Sequence, residues 1–353
     1  MKSLSFSSRA VFIAAFALLV LAALGWGCWS LAAAQYQRKI DGWIDEDRTA
    51  GNRISFDKRK IFGFPRRITM RLVNLRWESA DGIIFHTDAM DVSATPWNWG
   101  DFDVKFKNNG SVAAPIDSEG RALMLSSASG CAQVHLDSQG FWRKAKLSLT
   151  DSQIGLAPDY LFQAERLSAS VSRPETPPKN HHEVGLTVAG EADNILLPKA
   201  MPSPFGDKAA KVSARMRVMG AVPDVRRSKA VDAWNKDSGI VEFDDFSVSW
   251  GVLDLTSQGT LGFDDDLQPE GAFAGTIAEP EKTMQALIDH GFIAMHDTSL
   301  LFSAMRLLAK PSPRGSKGME LPITIQLGGL FFGPIRIFTF PEIEWPVAPP
   351  VGK

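Results

Sequence analysis

The hydrophobic pattern changes character along the chain. From Ala10 to Ala34 it has no period: AVFIAAFALLVLAALGWGCWSLAAA carries no charged residue. A run that is apolar on every helical face suits a membrane span better than a surface helix. About 25 residues at roughly 1.5 Å rise reach about 37 Å, enough for a hydrocarbon core of about 30 Å. Trp26, Trp29 and Tyr36 mark its C-terminal end, where amphipathic rings favour the headgroup level. Gln35 to Arg48 continues as a juxtamembrane helix, with Ile40, Trp43 and Ile44 on one face. Beyond Arg66 the period becomes two. Ile68, Met70 and Leu72 alternate with Arg67, Thr69 and Arg71, as a half-buried strand requires.

The same alternation predicts strands over Ile83–Ala94, Phe102–Phe106, Arg121–Ser126, Cys131–Leu136, Lys144–Leu149, Leu167–Val171, Val184–Val188 and Val212–Val218. A break is expected over Thr95–Asp101, and Asp159–Arg166 reads as either a helical turn or a strand. Polar, proline-bearing loops fall at 172–183 and 197–208. Asp224–Lys236 reads as a short helix with Val231 and Trp234 inward. Three strands at about 240–249, 252–263 and 271–277 form the clearest meander, with Asp264-Asp265-Asp266 as its turn. Glu281–Lys310 reads as the long helical region of the body. Met284, Leu287, Ile288 and Phe292 share its face, Gly291 is a bend point, and Asp297 or Thr298 caps a second half. Pro322–Leu327 and Ile335–Phe338 close the strand series. The expected fold is mainly β with a few helices: a long curved antiparallel sheet, either an open groove or a packed core. Both alternatives need one apolar face. About a dozen strands at roughly 4.8 Å give a sheet about 60 Å long.

Composition narrows the class. A chain of 353 residues with 44% hydrophobic content can bury a substantial core. The 29 Gly and 21 Pro between short alternating runs agree with many strands and turns. A net charge of −2 provides no basic field for nucleic acid. Cys28 lies in the apolar run and Cys131 in the body, so they do not pair; Cys131 is read as a buried small hydrophobe. Lys58, Arg59, Lys60, Arg66 and Arg67 bracket Ile61-Phe62-Gly63-Phe64-Pro65. They are candidate contacts for anionic headgroups, or the charges of a solvated strand edge.

Motifs for chemistry are absent. The six histidines form no HExxH and no zinc spacing with cysteine. His181-His182-Glu183 lies in a polar loop, and Asp264–Asp266 lacks the spaced ligands of a calcium loop. There is no P-loop and no GxSxG elbow. No catalytic residue, metal ligand or cofactor is assigned, and an enzyme is not expected. His135 and Asp137 would have to converge in a pocket to revive that reading.

The topology of the apolar run has two readings. Lys2 and Arg9 precede it, while Arg38, Lys39, Arg48 and Arg53 follow it, so the positive-inside count does not decide orientation. Ala32-Ala33-Ala34 leaves room for signal-peptide cleavage. The preferred reading is a tail at 1–9 inside, a retained anchor at 10–34 and a strand-rich body at 35–353 outside the cytoplasm.

A resemblance sharpens this. Ser249-Trp250-Gly251, Gly259-Thr260-Leu261, the acidic turn and Leu267-Gln268-Pro269-Glu270-Gly271 resemble the repeated unit of AsmA-like envelope proteins. Ala233-Trp234, Gly239, Leu321-Pro322-Ile323, Gly328-Gly329, Gly333-Pro334 and Gly63-Phe64-Pro65-Arg66 resemble one bacterial family of unknown function within that group. The resemblance implies a single-pass inner-membrane protein with its body in the periplasm. It also implies a non-enzymatic role in envelope lipid transfer or homeostasis, with membrane lipid as partner. Ile68, Met70, Leu72, Val248, Trp250 and Val252 are then the candidate lining of an apolar groove. The alternative is a structural or assembly factor that docks another envelope protein.

Overall fold

The computed structural model describes residues 8–115, 121–157, 160–199, 201, 203–223, 228–293, 303, 310–311, 318–332 and 335–343. The chain opens with helix α1 (Ser8–Thr49), which runs unbroken through the apolar run and the juxtamembrane segment. Every described strand after it joins one antiparallel sheet. β1 (Arg53–Ser55) and β2 (Lys58–Phe62) share one edge of β3 (Ile68–Glu78). The chain then meanders through β4 (Ile84–Thr95), β5 (Asn98–Pro115), β6 (Ala122–Leu136), β7 (Trp142–Ala157), β8 (Tyr160–Ser172), β9 (Val184–Leu196) and β10 (Lys208–Met219). Helix α2 (Ser228–Lys236) precedes β11 (Val241–Trp250), β12 (Leu253–Phe263) and β13 (Pro269–Ile277). Helix α3 (Pro280–Asp289) and the short β14 (Lys310–Pro311) come before β15 (Met319–Gln326), β16 (Gly329–Phe332) and β17 (Ile335–Thr339). From β2 onward each strand pairs with the next along the chain, except that β13 pairs with β15. The result is one long open sheet, mainly β with few helices.

Several expected elements are longer than the alternation suggested. Phe102–Phe106 lies inside β5. Arg121–Ser126 and Cys131–Leu136 are two parts of β6, and Lys144–Leu149 is the first half of β7. The Asp159–Arg166 segment is strand where described, within β8. The loop at 172–183 and the inward Val231 and Trp234 are as expected, with Trp234 Nε1 donating to the Met219 carbonyl at 2.8 Å. Of Glu281–Lys310, α3 forms the first part, with Met284 and Leu287 buried; Gly291 follows it at φ 75°. Asp297 and Thr298 lie outside the described residues.

A physical cause links the long strands. Asn74 (φ 55°), Asn108 and Asn109 (φ 60°), Asp151 (φ 49°) and Asn194 (φ 51°) sit inside strands in the left-handed region. Asn and Asp tolerate that region better than other residues with a Cβ. Pairing skips at each of them. Val73 pairs with Ala89, then Leu75 with Thr87. Lys107 pairs with Ser129, then Gly110 with Ser127. Thr150 pairs with Arg166, then Ser152 with Ala164. Lys211 pairs with Asp193, then Ala209 with Ile195. The skips line up from β3 to β10, so they form a crease that crosses the sheet. At Asn74, Asp151 and Asn194 both strands leave one residue unpaired at the same level, which keeps the register and inverts the alternation of both; at Asn108–Asn109 the strand carries one residue more than its partner, a bulge. Side chains three apart then share a face: Leu72 and Leu75 both enter one core cluster. The crease residues are exposed on the outer side, while Leu75, Thr87, Ser127, Ser152, Ala164 and Ala209 are buried on the inner side.

Candidate functional site

Strand register carries one apolar face from end to end. Met70, Val92 and Val104 are mutual partners in β3–β5, and the row continues through Ala132 and Leu147. It runs on through Ala169, Gly190 and Ala214 to Phe246. The opposite face is polar: Arg71 pairs with Asp91, Lys146 with Ser170, and Ser213 with Ser247. On this apolar face the crease row, Leu75, Thr87, Ser127, Ser152, Ala164 and Ala209, is buried and made mostly of small residues.

Helices cover both ends of this face. The C-terminal half of α1 lies along β3. Trp29 Nε1 donates to the Arg67 carbonyl at 2.9 Å before β3 starts, and Trp77 Nε1 donates to Asp47 Oδ2 at 2.7 Å near its end. Between them Tyr36 is 1% exposed, and its hydroxyl donates to the Val92 carbonyl at 3.1 Å. Burial pushes its pKa up, since no positive partner offsets the desolvation of a phenolate. At the far end Met284 and Leu287 of α3 pack with Ile277 and Leu321.

The middle differs. On β6–β10 the apolar face carries Ala132, Val134, Ala145, Leu147, Val171 and Val188, all only half-buried, and Ala169 is exposed. Small side chains here leave the face shallowly covered. In the crease row Ser127 Oγ lies within hydrogen-bond reach of the carbonyls of Ser129 (2.6 Å) and Thr150 (3.0 Å), the pair on the other side of the crease. Ser152 Oγ is buried beside it with no hydrogen-bond partner among the described residues.

The candidate lining residues divide. Ile68, Met70 and Leu72 are on the apolar face but packed beneath α1, with Ile68 at 0% exposure, so at this end the packed-core alternative holds. Val248 is on the same face, eight strand steps away. Trp250 donates to the Gly206 carbonyl at 2.6 Å and packs on Phe205, and Val252 is exposed in the β11–β12 turn. The lining that remains open is Ala132, Leu147, Ala169 and their neighbours. Sequence alternation contained them, but nothing singled them out. The signal that would have done so is an Asn or Asp directly before the second of two same-face residues three apart, as in Leu72-Val73-Asn74-Leu75 and Leu149-Thr150-Asp151-Ser152.

The five basic residues do not form one patch. Arg59 is on the helix side and pairs with Asp41 of α1; Arg67 pairs with Asp103 at 3.0 Å. Lys58 and Lys60 face the polar side through their register with Val73 and Arg71, and Arg66 is exposed in the β2–β3 turn. Cys131 is exposed, not buried, because its partners Lys105 and Ser148 lie on the polar face.

The polar groups near His135 are held by neighbouring side chains and turns. Its Nδ1 is 2.5 Å from Asp101 Oδ1. Asp137 accepts from the backbone N–H of Gln139 (2.9 Å) and Phe141 (3.0 Å) and from Arg143 Nε (2.7 Å). Burial works to raise its pKa, but these donors outweigh it and hold the carboxyl below the usual range. His135 and Asp137 both line a cleft of about 1080 Å³, yet each is bound to its own turn or neighbour. Asp264 likewise closes the β12–β13 hairpin by accepting from Asp266 and Gln268. Among the described residues no cluster of three His, Cys, Asp or Glu could hold a metal ion. Among them, too, no helix is long and apolar enough to cross a membrane. The side chains of residues 8–19 and 21, much of the run Ala10–Ala34, lie outside the described residues.

Residues 29–341 match a family described as an uncharacterized protein conserved in bacteria (DUF2125). The chain belongs to that family. The matched span begins at Trp29, where α1 meets the sheet, and ends just past β17, so family membership covers the creased sheet and the docked half of α1. The family description does not extend to the AsmA-like envelope proteins. No curated protein matches the chain.

Proposed function

We propose that this protein is a non-enzymatic, membrane-anchored lipid handler of the bacterial envelope, of the AsmA-like type, whose apolar face takes acyl chains. The body lies in the periplasm, tethered to the inner membrane by Ala10–Ala34. One observation carries the reading: the apolar face is continuous in register, capped by α1 and α3 at its ends, and half-buried between them. A core that only needed packing would be covered along its whole length. Each methylene moved from water onto this face gains about 0.8 kcal/mol when fully buried, and less on an open face. Small side chains such as Ala132, Ala145 and Ala169 leave room for a chain to lie across the strands. The polar reverse face keeps the sheet soluble.

Native mass spectrometry of the full chain released from detergent tests this. Phospholipid or fatty-acid adducts are expected, and they should be lost when Ala132 and Ala169 are both changed to Phe. A consistently bare protein, or adducts indifferent to that pair, would count against it. A second reading, docking of another envelope protein, is favoured by β17, whose outer edge has no strand partner among the described residues. A stoichiometric protein partner captured without lipid would favour that reading.

A further inference from the structure

The direction of α1 assigns a membrane-facing side to the sheet. α1 passes along β3 from Arg67 toward Trp77, so its first half leaves the sheet past the start of β3. Residues 8–28 at about 1.5 Å each extend about 30 Å beyond that rim, the thickness of a hydrocarbon core. The turns at the same rim and nearest to α1 are β2–β3, β4–β5 and β6–β7. Each presents an exposed aromatic residue: Phe64 (45%) and Trp97 (72%) within the turn, and Phe141 (64%) where the β6–β7 turn closes. Single exposed apolar residues are ordinary. Aromatics on three successive turns of one rim, beside the helix that leaves it, are not. Phe64 also meets Trp29 edge-on at 6.0 Å, which fixes this turn to α1. The opposite rim differs in kind: its β3–β4 turn is Ser79-Ala80-Asp81-Gly82, and its exposed large hydrophobics among the described residues, Leu123, Leu156 and Val252, are all aliphatic.

Charge agrees with this. Arg66, next to Phe64, is exposed and has no ion-pair partner among the described residues. The acidic turn Asp264–Asp266 lies on the same rim but at the far end of the sheet.

We propose that this rim rests on an anionic bilayer, with Phe64, Trp97 and Phe141 at the headgroup level and Arg66 against lipid phosphate. The far end, led by Asp264–Asp266, is lifted off the surface by like-charge repulsion. Aromatic rings partition to that interface because one part of the residue is apolar and another borders water, and a basic residue near an anionic leaflet is attracted to it. The rim is also one lip of the apolar face, since the strand halves above the crease end there. A lipid leaving the bilayer crosses the lip beyond α1, from β6 onward, where the apolar face is left uncovered. The proposal rests on α1 as the anchor, and not on the apolar face being occupied.

Spin-label depth measurement on the full chain in nanodiscs of phosphatidylcholine and phosphatidylglycerol tests it. Cys28 and Cys131 are first replaced by Ser. Single cysteines then go in at Leu24, Phe64, Trp97, Phe141 and Ala80. Labels at 64, 97 and 141 should be more accessible to oxygen than to a water-soluble nickel chelate, as at 24, and the label at 80 should show the reverse. If 24 is in lipid while 97 and 141 match 80, the anchor stands and the rim contact is wrong. If 24 is also in water, both are wrong. If labels at 97 and 141 are shielded from both reagents and broaden each other between copies, the rim is a protein interface and the proposal falls. Should a label disturb folding, Asn98 and Ser138, on or beside the same turns, replace positions 97 and 141.

Discussion

Removing Tyr36 should undock α1 from the sheet. Its ring is fully buried, stacked near Phe102 at 6.4 Å and tilted against Trp99 at 6.1 Å. Tyr36→Ala removes that packing and leaves a cavity, which for a large aromatic costs about 3–5 kcal/mol. Tyr36→Phe keeps the ring and removes only the bond to the Val92 carbonyl, worth about 1 kcal/mol. The two substitutions therefore separate packing from hydrogen bonding at one position. Urea unfolding of the full chain in mild detergent reads both, with the midpoint falling and the slope unchanged. An alkaline arm adds a sign. Since burial raises the Tyr36 pKa, the folded state favours the neutral phenol. Its contribution is complete below the unfolded value of about 10 and is lost as pH rises through the higher folded value. Tyr36→Phe should remove that alkaline loss. If Tyr36→Ala costs under about 1 kcal/mol, against the expected cavity cost, the packing of α1 on β3–β5 does not stabilise the fold and the reasoning fails.

Other positions yield independent outcomes. Gly130→Ala should destabilise by about 1–3 kcal/mol in the same assay, because the Phe106 ring and the Leu149 methyl already occupy the space of a Cβ there. Ser152→Ala should leave stability unchanged or raise it by up to about 1 kcal/mol, since a buried hydroxyl without a partner is removed. Asp151→Val should destabilise more than Asp151→Asn, because a β-branched residue resists the φ of 49° that the crease requires. Asp137 has a lowered folded pKa, so its support of the β6–β7 turn is complete above about pH 4 and is lost as pH falls through the lower folded value. Protection of the Gln139 and Phe141 amides, taken relative to their intrinsic exchange rates, should fall in that acid range, and in Asp137→Asn it should no longer change with pH there.

Alternation made much of the sheet legible. Ile68, Met70 and Leu72 read as one face, and they form one. The meander over β11–β13 was plain because its turns, Trp250-Gly251 and Asp264–Asp266, interrupt unbroken alternation. Strand lengths were not legible, for the reason that made the crease. At Asn108, Ala128 and Asp151 the alternation changes phase, so a period-two reading ends β5, splits β6 and stops β7 halfway. The phase change is a tertiary feature, since it matters only when neighbouring strands change at the same level. The cover over β3 was half legible: Ile40 and Trp43 mark an apolar face of α1, but nothing local to Tyr36 identifies Val92 as its partner. How the basic cluster is arranged in space was not legible, because residues adjacent in β2 point to opposite faces, which separates Arg59 from Lys58 and Lys60.

Lipid held by this sheet should lie on its apolar face and not on its polar one. Site-specific photo-crosslinking reads this directly, with a photoreactive side chain placed in turn at Leu147 and Ala169 on the apolar face and at Ser148 and Ser168 on the polar face, in the intact membrane-bound chain. Lipid crosslinks are expected at 147 and 169 and none at 148 and 168. Equal labelling of both faces, or none at 147 and 169, would overturn the proposed lipid-handling role.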